Sequence, residues 1–376
     1  MISRSWPSYE RSGVSLAAAQ HVDILLNAGH DVSIIGSSKL VMHETLNVSN
    51  RYFVLSTGTG SVYSKAHIDK RQLVEIFNKT KPDLIVIEAW QTALTDAAVD
   101  VATGLSLPLL MISHGISLHK FSNSILDIIR SLFWWSYRLK LKKRIANLKV
   151  MTALDLESKS KRLYDRDIAI NQKVSVLQLV NTPINWMKGC HQMINRKKQI
   201  VCVGYFSAIK NQLAAIEIFS ELPNYLELVF IGSKSGSYYK KCIEKVKQKG
   251  LGSRVIFYED SDCNIAEEIS QSLVMLCTSR TEVLPISLLE AMASNTPFVA
   301  PEVGAIPSLK AGILANGQRA QENALMQLIN DEHLWKAISD RGRLEYLSRF
   351  TLDCVAEDLK RAVSVATSSY QNKVNN

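Results

Sequence analysis

The sequence has few cysteines and no long apolar run, and both absences narrow its class. Its 376 residues include only six cysteines, none of which forms a CxxC pair or a cluster with zinc-binding spacing. We therefore expect reduced thiols and no structural zinc. No apolar stretch approaches the ~20 residues that span a bilayer, and the first residues lack the apolar core of a signal peptide. We expect a cytoplasmic protein.

The composition is that of an ordinary folded chain with a basic bias. Hydrophobic residues make up 47% and charged residues 21%, which excludes disorder and coiled-coil arrays as the main state. The 44 lysines and arginines exceed the 35 acidic residues, giving a formal net charge of +9. This charge favours anionic partners, although a merely solvated basic surface is an open alternative. Because no helix-turn-helix, RRM or zinc pattern accompanies the charge, we expect no nucleic-acid partner.

Short apolar runs alternate with amphipathic segments along the chain. Most runs are continuous, which is typical of parallel strands buried on both faces, and the segments between them have helical periodicity. The pattern predicts an α/β protein with two doubly wound Rossmann-like domains that face a cleft. The runs lie at 32–36, 51–55, 83–87, 107–113, 148–153 and 174–180, and after a basic gap at 199–204, 226–232, 254–258, 273–279 and 296–301.

The beginning of the first domain departs from this pattern. Only Met1–Ser3 precedes a polar stretch, and the first predicted helix begins near Gly13. A Rossmann-like domain normally opens with about five apolar residues in a first strand. We therefore expect the first strand to be truncated and the sheet to be poorly formed there.

The strongest local signal is the segment 279–305, which follows a buried strand. It contains Glu282 in a turn, Pro285 at a helix start and Glu290 inside that helix. The first three N–H groups of the helix face the end of the strand, which makes an anion site. Two glutamates at this spacing are by themselves more often exposed carboxylates of a capped surface helix. The three N–H groups belong to Ile286, Ser287 and Leu288.

In its context, this segment resembles the E-x7-E motif of retaining glycosyltransferases of family 4, whose fold is called GT-B. Residues 200–219 resemble the family's opening strand, loop and helix of the nucleotide domain, with Lys210 at the position of the basic residue that contacts the donor diphosphate. Residues 12–37 resemble its N-terminal glycine loop, first helix and second strand. Residues 109–119 match its His-Gly strand end, and 179–185 match its interdomain asparagine motif. The resemblance covers roughly residues 12–350.

The resemblance implies that a sugar moves from a nucleoside diphosphate sugar to an acceptor hydroxyl with retention of configuration. It implies catalytic roles for His114 and Glu282, both beside the donor sugar. It further implies that Lys210 and the start of the helix at Ile286 hold the phosphates, with Gly13 close to them, and that Glu290 holds the ribose. By resemblance, residues 1–185 form an acceptor-binding domain, 186–348 the nucleotide-sugar-binding domain, and 349–376 a helix that crosses back to the first domain.

Two departures from the family pattern concern the phosphates. Tyr205 stands where the family usually has an arginine, so phosphate binding depends on Lys210 and the helix, or Arg280 substitutes. The glycine loop has Ser12 before Gly13 in place of a second glycine.

The acidic pairs at 165–167 and 260–262 have the spacing of metal-dependent sugar transferases but lack the context of that fold. We expect no metal and no cofactor other than the nucleotide-sugar co-substrate.

A basic aromatic segment at 122–149 indicates the acceptor. Trp134 and Trp135 precede five cations within residues 138–144, a composition typical of helices at membrane surfaces. The alternative is that half of the helix packs on the sheet and its cations are solvated. The first interpretation predicts a peripheral protein on the inner face of the plasma membrane, with a glycan or lipid-linked acceptor. That acceptor suits synthesis of bacterial surface polysaccharide, such as O-antigen of lipopolysaccharide, capsule or exopolysaccharide.

Two other functions remain open from the sequence. A nucleotide-sugar epimerase on the same fold would need no acceptor. A catalytically silent, membrane-associated scaffold would keep the fold and bind ligand without turnover.

Overall fold

A computed structural model describes most of the chain. The described residues are 1–4, 6–7, 12–37, 42, 46–55, 68–116, 125–183, 186–189 and 192–371, and the side chains of 125–134 and 371 are not among them. Three parts of the sequence motifs therefore lie outside the described residues. These parts are 117–119 of the His-Gly segment, 184–185 of the asparagine motif, and 122–124 of the basic segment together with the side chain of Trp134.

The chain divides into two compact units. Unit 1 comprises Met1–Val180 with Val355–Asn376, and unit 2 comprises Asn181–Cys354. Each unit has its own apolar core, built around a parallel sheet with helices packed on it.

Unit 1 contains a two-stranded sheet, β1-β2, and a four-stranded sheet in the order β3-β4-β5-β6, all parallel. Every residue of β3, β4 and β5 is buried, as expected for strands covered on both faces. The strands are β1 (Ser33–Gly36), β2 (Asn50–Phe53), β3 (Ile85–Glu88), β4 (Leu109–Ile112), β5 (Val150–Ala153) and β6 (Ser175–Gln178). The helices are α1 (Gly13–Asn27), α2 (Lys70–Thr80), α3 (Ala93–Gly104), α4 (Ile125–Ala146) and α5 (Tyr164–Asn171).

The first residues of the chain lie between β1 and β3. Ile2 forms isolated parallel bridges with Ile35 on one side and Ile87 on the other. Its N–H donates to the Val86 carbonyl at 2.8 Å, and the Glu88 N–H donates to the Ile2 carbonyl at 2.9 Å. Where the sequence predicts a truncated first strand, the structure therefore has a short segment at Ile2 that links the two sheets of unit 1.

Unit 2 contains a six-stranded parallel sheet in the order β12-β11-β10-β7-β8-β9. Its strands are β7 (Lys197–Val203), β8 (Glu227–Ile231), β9 (Val255–Tyr258), β10 (Ser272–Leu276), β11 (Phe298–Ala300) and β12 (Gly312–Leu314). Its helices are α6 (Gln212–Ser220), α7 (Gly236–Gln248), α8 (Ile265–Gln271), α9 (Ile286–Ala293), α10 (Gln318–Asn330) and α11 (Glu332–Arg349). The last helix, α12 (Leu352–Gln371), belongs to unit 1 from Val355 onward, and Tyr370 packs against the core of that unit.

The predicted α/β class with parallel sheets is confirmed. Each of the eleven apolar runs overlaps a strand, whereas β12 and the helices α2, α5, α8 and α10 were not predicted. β12 has only three residues, and α2 is a polar helix on which only Leu73 and Phe77 are buried. Within the described ranges, no helix combines the length and apolar character needed to cross a bilayer.

Candidate donor site and the His114 strand end

Lys210 and Glu282 meet at the carboxyl ends of two neighbouring strands of unit 2. Lys210 lies in the loop between β7 and α6, and Glu282 lies in the loop between β10 and α9. The Lys210 Nζ donates to Glu282 Oε1 at 2.7 Å, and the two side chains are only 20% and 11% exposed. Strand order thus joins two residues that are 72 positions apart in the sequence.

The pairing keeps Lys210 charged. Burial by itself lowers the pKa of a lysine, but the charge of Glu282 and its hydrogen bond raise the pKa of Lys210 above the ordinary value. The ammonium also lies 5.9 Å from the ring centroid of Tyr205, the residue at the family's arginine position. A diphosphate at this site would meet a cation that is already formed and that Glu282 can release to it.

The end of β10 holds the Lys210 loop in place. Thr278 Oγ1 donates to the carbonyls of Lys210 and Asn211 at 3.1 and 3.0 Å, and the Arg280 N–H donates to the Ile209 carbonyl at 2.8 Å. The guanidinium of Arg280, the substitute cation considered from the sequence, is directed to Asn211 Oδ1 at 3.5 Å. Its side chain is therefore close to the loop that carries Lys210, although it is exposed.

A glycine is required beside the Glu282 loop. Gly304 has φ +64°, and a Cβ there would lie 2.1 Å from the carbonyl oxygen of Glu282. The neighbouring Ala305 N–H donates to the Val283 carbonyl at 2.6 Å. The backbone of this turn therefore supports the Glu282 loop directly.

The start of α9 carries no side-chain cap. Pro285 is its N-cap, with φ −73° and ψ 121°, one position before the helical residue expected from the sequence. Of the three predicted N–H groups, that of Leu288 already donates to the Pro285 carbonyl at 3.1 Å, so it is not free as the sequence predicted. Ile286 and Ser287 remain candidates, because the first N–H groups of a helix have no intrahelical acceptor. Ser287 lines a cavity of ≈ 20 Å³ together with Lys210 and Glu282.

Glu290 lies one turn inside α9 and is buried. Gly13, in contrast, is the first residue of α1 in unit 1, at a helix start closed by its own side chains. Ser12 Oγ accepts the Ser15 N–H at 3.2 Å, and Ser15 Oγ accepts the Ser12 N–H at 2.9 Å. The assignments of Glu290 to the ribose and of Gly13 to the phosphates stay predictions.

His114 follows β4 and is bonded to a carboxylate that sequence reasoning missed. Its Nε2 lies 2.7 Å from Glu88 Oε2, and the Nδ1 of His21 lies 2.8 Å from Glu88 Oε1. All three residues are buried. A sequence signal exists for Glu88, since it is an acidic residue at the end of the apolar run 83–87; none marks His21, which lies within an amphipathic helix.

Glu88 remains ionised in spite of its burial. Burial alone would raise the pKa of its carboxyl, but the charge of His21 and the hydrogen bonds from both imidazoles outweigh it and lower the pKa to about 2. The α-amino group of Met1 also lies near; burial lowers its pKa to about 5.

The acidic pairs with metal-like spacing do not converge on a site. Asp165 is buried and accepts a hydrogen bond from Ser113 Oγ, and burial raises its pKa to about 6. Asp167 is paired with Arg166 at 2.7 Å, and Asp262 is paired with Lys234. Among the residues that the structure describes, no three histidine, cysteine or acidic side chains group around a possible ion position.

Helix α4 divides into a packed face and an exposed face. Tyr137, Leu141 and Ile145 are buried, whereas Trp135 and Leu139 are 67% and 59% exposed. Two of the five cations are engaged inside unit 1, which corrects their interpretation as a free rim. The guanidinium of Arg144 donates to Asp96 and Asp100 at 2.8 Å, and that of Arg138 lies 4.1 Å from the ring centroid of Tyr164. The exposed cations are Lys140, Lys142 and Lys143.

The residues of the candidate donor site lie in the part of the chain that matches a family model. Residues 191–345 match the model of glycosyl transferases group 1. N-acetyl-alpha-D-glucosaminyl L-malate synthase of Bacillus anthracis is 25% identical over 160 residues, which are 41% of this chain and 42% of that protein. D-inositol 3-phosphate glycosyltransferase of Corynebacterium urealyticum is 28% identical over 154 residues, 38% of this chain and 36% of that protein. The chain thus spans about two fifths of the length of these curated relatives.

Solved structures resemble the whole chain. HepE of Anabaena, in complex with UDP and glucose, has a TM-score of 0.69 and 16% identity, covering 96% of this chain and 98% of its own. Sucrose-phosphate synthase of Thermosynechococcus elongatus has a TM-score of 0.70 and 16% identity, covering 95% and 94%. At these identities the likeness concerns the fold. The chain therefore has the GT-B fold, and its residues 191–345 are similar to glycosyl transferases group 1.

Proposed function

We propose that this protein transfers a hexose from a nucleoside diphosphate sugar to an acceptor hydroxyl with retention of configuration, as enzymes of glycosyltransferase family 4 do. The observation that carries the proposal is the partly buried ion pair of Lys210 and Glu282, 2.7 Å apart and lining one cavity with Ser287 at the uncapped start of α9. It lies within the segment that matches glycosyl transferases group 1. The relatives add support, since their names describe sugar transfer and HepE binds UDP and glucose.

In this proposal, arrival of the donor exchanges the partners of the ion pair. The diphosphate takes the ammonium of Lys210 and the first N–H groups of α9, at Ile286 and Ser287, which together offset the charge that develops on the leaving group. Glu282, released from Lys210, can then accept hydrogen bonds from the hydroxyls of the donor sugar. Glu290 is assigned to the ribose, and His114 to the donor sugar, on the resemblance alone. As the bond from the anomeric carbon to the diphosphate breaks, the acceptor oxygen bonds to that carbon through an oxocarbenium-like transition state, and the acceptor hydroxyl proton passes to the departing diphosphate.

Binding of nucleoside diphosphates to the Lys210→Ala variant tests the site. Losing a charge-assisted contact costs about 1.5–3 kcal/mol, so we expect binding of UDP, GDP or ADP to weaken by about 10- to 100-fold. Lys234→Ala is the matched control, because it removes a lysine of the same unit whose ion pair with Asp262 is exposed. Equal binding by wild type and Lys210→Ala would show that the phosphate assignment is wrong.

Turnover separates transfer from the two other functions. Purified protein is incubated with radiolabelled nucleotide sugars, with and without a mixture of glycan and lipid-linked acceptors. Transferase activity requires acceptor and forms a labelled glycoside. An epimerase would convert the nucleotide sugar without acceptor, and a silent scaffold would bind it unchanged; either result contradicts the proposal.

The acceptor is proposed to be a lipid-linked glycan of bacterial surface polysaccharide, reached from the inner face of the plasma membrane. The supporting observation is the exposed face of α4, where Trp135 and Leu139 lie beside three lysines. Apolar anchors next to cations suit an anionic lipid surface, at about 1 kcal/mol for each cation near it.

Replacing Lys140, Lys142 and Lys143 with glutamine tests the membrane contact. Arg144 stays, because its removal would break the ion pairs with Asp96 and Asp100. We expect weaker sedimentation with vesicles of anionic phospholipid and unchanged binding of nucleoside diphosphate. A control with the same change of charge replaces the exposed Lys240, Lys241 and Lys247 of α7. If wild-type protein does not bind the vesicles, or if both triple variants bind equally well, α4 is an ordinary solvated helix.

A further inference from the structure

We infer that Glu88 and His21 are positioning residues that hold His114 in a single tautomer, with the proton on Nε2 and the lone pair on Nδ1. The inference concerns an arrangement inside unit 1. Its consequence for catalysis rests on the proposed function, whereas the tautomer itself does not.

Both oxygens of the Glu88 carboxylate are engaged by histidines. Each oxygen of Glu88 faces one imidazole: Oε2 lies 2.7 Å from His114 Nε2, and Oε1 lies 2.8 Å from His21 Nδ1. The two rings lie 6.4 Å apart and are inclined by 24°. The carboxylate therefore bridges two nearly parallel rings, and it cannot turn toward one without losing the other.

The ionisation of Glu88 decides which ring nitrogens of His114 and His21 carry hydrogen. The pKa of Glu88, lowered to about 2, leaves the carboxylate ionised at neutral pH. An ionised carboxylate only accepts hydrogen bonds, so both facing ring nitrogens must carry a hydrogen. When the His114 ring is neutral, its one ring hydrogen lies on Nε2 and Nδ1 is the acceptor, whereas in the charged ring both nitrogens carry hydrogen. A substrate group at Nδ1 must then be a donor, and a sugar hydroxyl has that chemistry.

His21 holds the second oxygen of Glu88. It lies on α1 and is almost completely buried, which keeps it from touching substrate. Its N–H occupies the oxygen that His114 does not use, and so it fixes the rotation of the Glu88 carboxylate. His21 thus acts on His114 only through Glu88.

The backbone beside His114 is held by a separate contact. Ser113 Oγ donates to Asp165, and the Gly115 N–H donates to Ser113 Oγ at 3.0 Å. Gly115 has φ +77°, a conformation that glycine adopts readily. Because Asp165 supports the turn and Glu88 supports the ring, the two contributions can be separated by mutation.

The tautomer is measured by ¹⁵N NMR of wild-type protein labelled at histidine. Ring-nitrogen shifts distinguish an N–H from a lone-pair nitrogen, and His114→Gln assigns the signal. We expect His114 with hydrogen on Nε2. A hydrogen on Nδ1, or rapid exchange between both forms, would overturn the inference even if the protein had no transferase activity.

Variants then test the two positioning residues. Glu88→Gln offers one acceptor and one donor, so one imidazole must change tautomer, and His21→Phe releases one oxygen of Glu88. We expect loss of the single His114 tautomer in both variants, and a fall in kcat of about 10- to 100-fold, the range seen when the hydrogen-bond partner of a metal-ligating histidine is lost. Nucleoside diphosphate binding, which is assigned to unit 2, should not change.

Ser113→Ala is the matched control, since it removes the turn contact and leaves Glu88 in place. It should keep the tautomer of His114. If Glu88→Gln does not fold, the His21→Phe variant and the wild-type spectrum still decide the question. Unchanged tautomer and unchanged kcat in both variants would overturn the inference. Absence of transfer by wild type with every nucleotide sugar would instead contradict the proposed function.

Discussion

Glu88 and Asp165 are both buried carboxylates of unit 1, and both support the end of β4, yet their acidities differ. The pKa of Glu88 falls to about 2 although burial acts to raise it, whereas burial raises the pKa of Asp165 to about 6. Glu88 faces two imidazoles, but the side-chain donor that Asp165 faces most closely is the hydroxyl of Ser113. Burial is the same in both places, so the charge of the partners decides the direction of the shift.

The comparison explains how one strand end can be both rigid and polar. An ionised carboxylate between two imidazoles orients a ring, whereas a carboxylate beside a hydroxyl holds a turn. In unit 2, Glu282 is a third case, because its partner Lys210 is a flexible cation, which we propose is recruited by the donor phosphates.

The largest expected effect on stability is that of Glu88→Gln. Because the pKa of Glu88 in the folded state lies below that of an unfolded glutamate, Glu88 stabilises the fold above about pH 4.5, and this contribution is lost as the pH falls toward 2. We expect Glu88→Gln to lower the free energy of unfolding by about 3 kcal/mol at pH 7. Urea denaturation at pH 7 and pH 3 measures the difference, which should shrink at the lower pH. A loss of equal size at both values would mean that packing, and not charge, explains the effect.

A smaller loss in the free energy of unfolding is expected for His21→Phe, which tests how much each histidine contributes to stabilising Glu88. The variant keeps an aromatic ring of similar size and removes one hydrogen bond to a charged group, a contact of about 2 kcal/mol. The remaining bond to His114 should hold part of the stabilisation. Denaturation at pH 7 measures it, and a variant as unstable as Glu88→Gln would show that the two imidazoles do not contribute separately.

An effect of opposite sign is expected for Asp165→Asn. Because the folded-state pKa of Asp165 is raised to about 6, its contribution to stability declines as the pH rises from about 4 through 6. The asparagine can still accept a hydrogen bond from Ser113 and carries no charge. We therefore expect urea denaturation to show a free energy of unfolding that is about 1–2 kcal/mol higher than that of wild type at pH 8, with a smaller increase at pH 4. Asp167→Asn, at an exposed neighbouring position, should show no such pH-dependent gain. A destabilised Asp165→Asn variant at pH 8 would break the comparison.

The smallest expected effect is that of metal removal. Glu88, Asp165 and Glu282 are each engaged by side chains of the protein, and Lys210 is proposed to offset the charge of the leaving diphosphate. We therefore expect glycosyl transfer to continue unchanged in excess EDTA. Loss of activity that manganese or magnesium restores would contradict the proposal and would direct attention to Asp260 and Asp262.

Local sequence patterns predict most of the sheet and the pairing partners of the candidate donor site only as separate residues. Continuous apolar runs are sufficient for the strands, because a strand covered on both faces must be apolar on both. Glu282 and Lys210 were predicted because each follows such a run and matches a family motif, and their role stays a prediction. The position of Leu288 was wrong as a free N–H group, because a sequence does not reveal whether the first turn of a helix bonds to its own N-cap.

The sequence by itself determined the alternation of strands and helices and the basic aromatic character of α4, and it supplied candidates for a diphosphate site. Only the tertiary structure decided which polar residues are partners. Glu88 and His21 are 67 positions apart, and Lys210 and Glu282 are 72 apart, so strand order and helix packing bring them together. Arg144 shows the same dependence, since on the sequence it is one of five cations and in the fold it is bound to Asp96 and Asp100. Periodicity is a local property that each segment carries, whereas pairing of charges depends on which segments pack side by side.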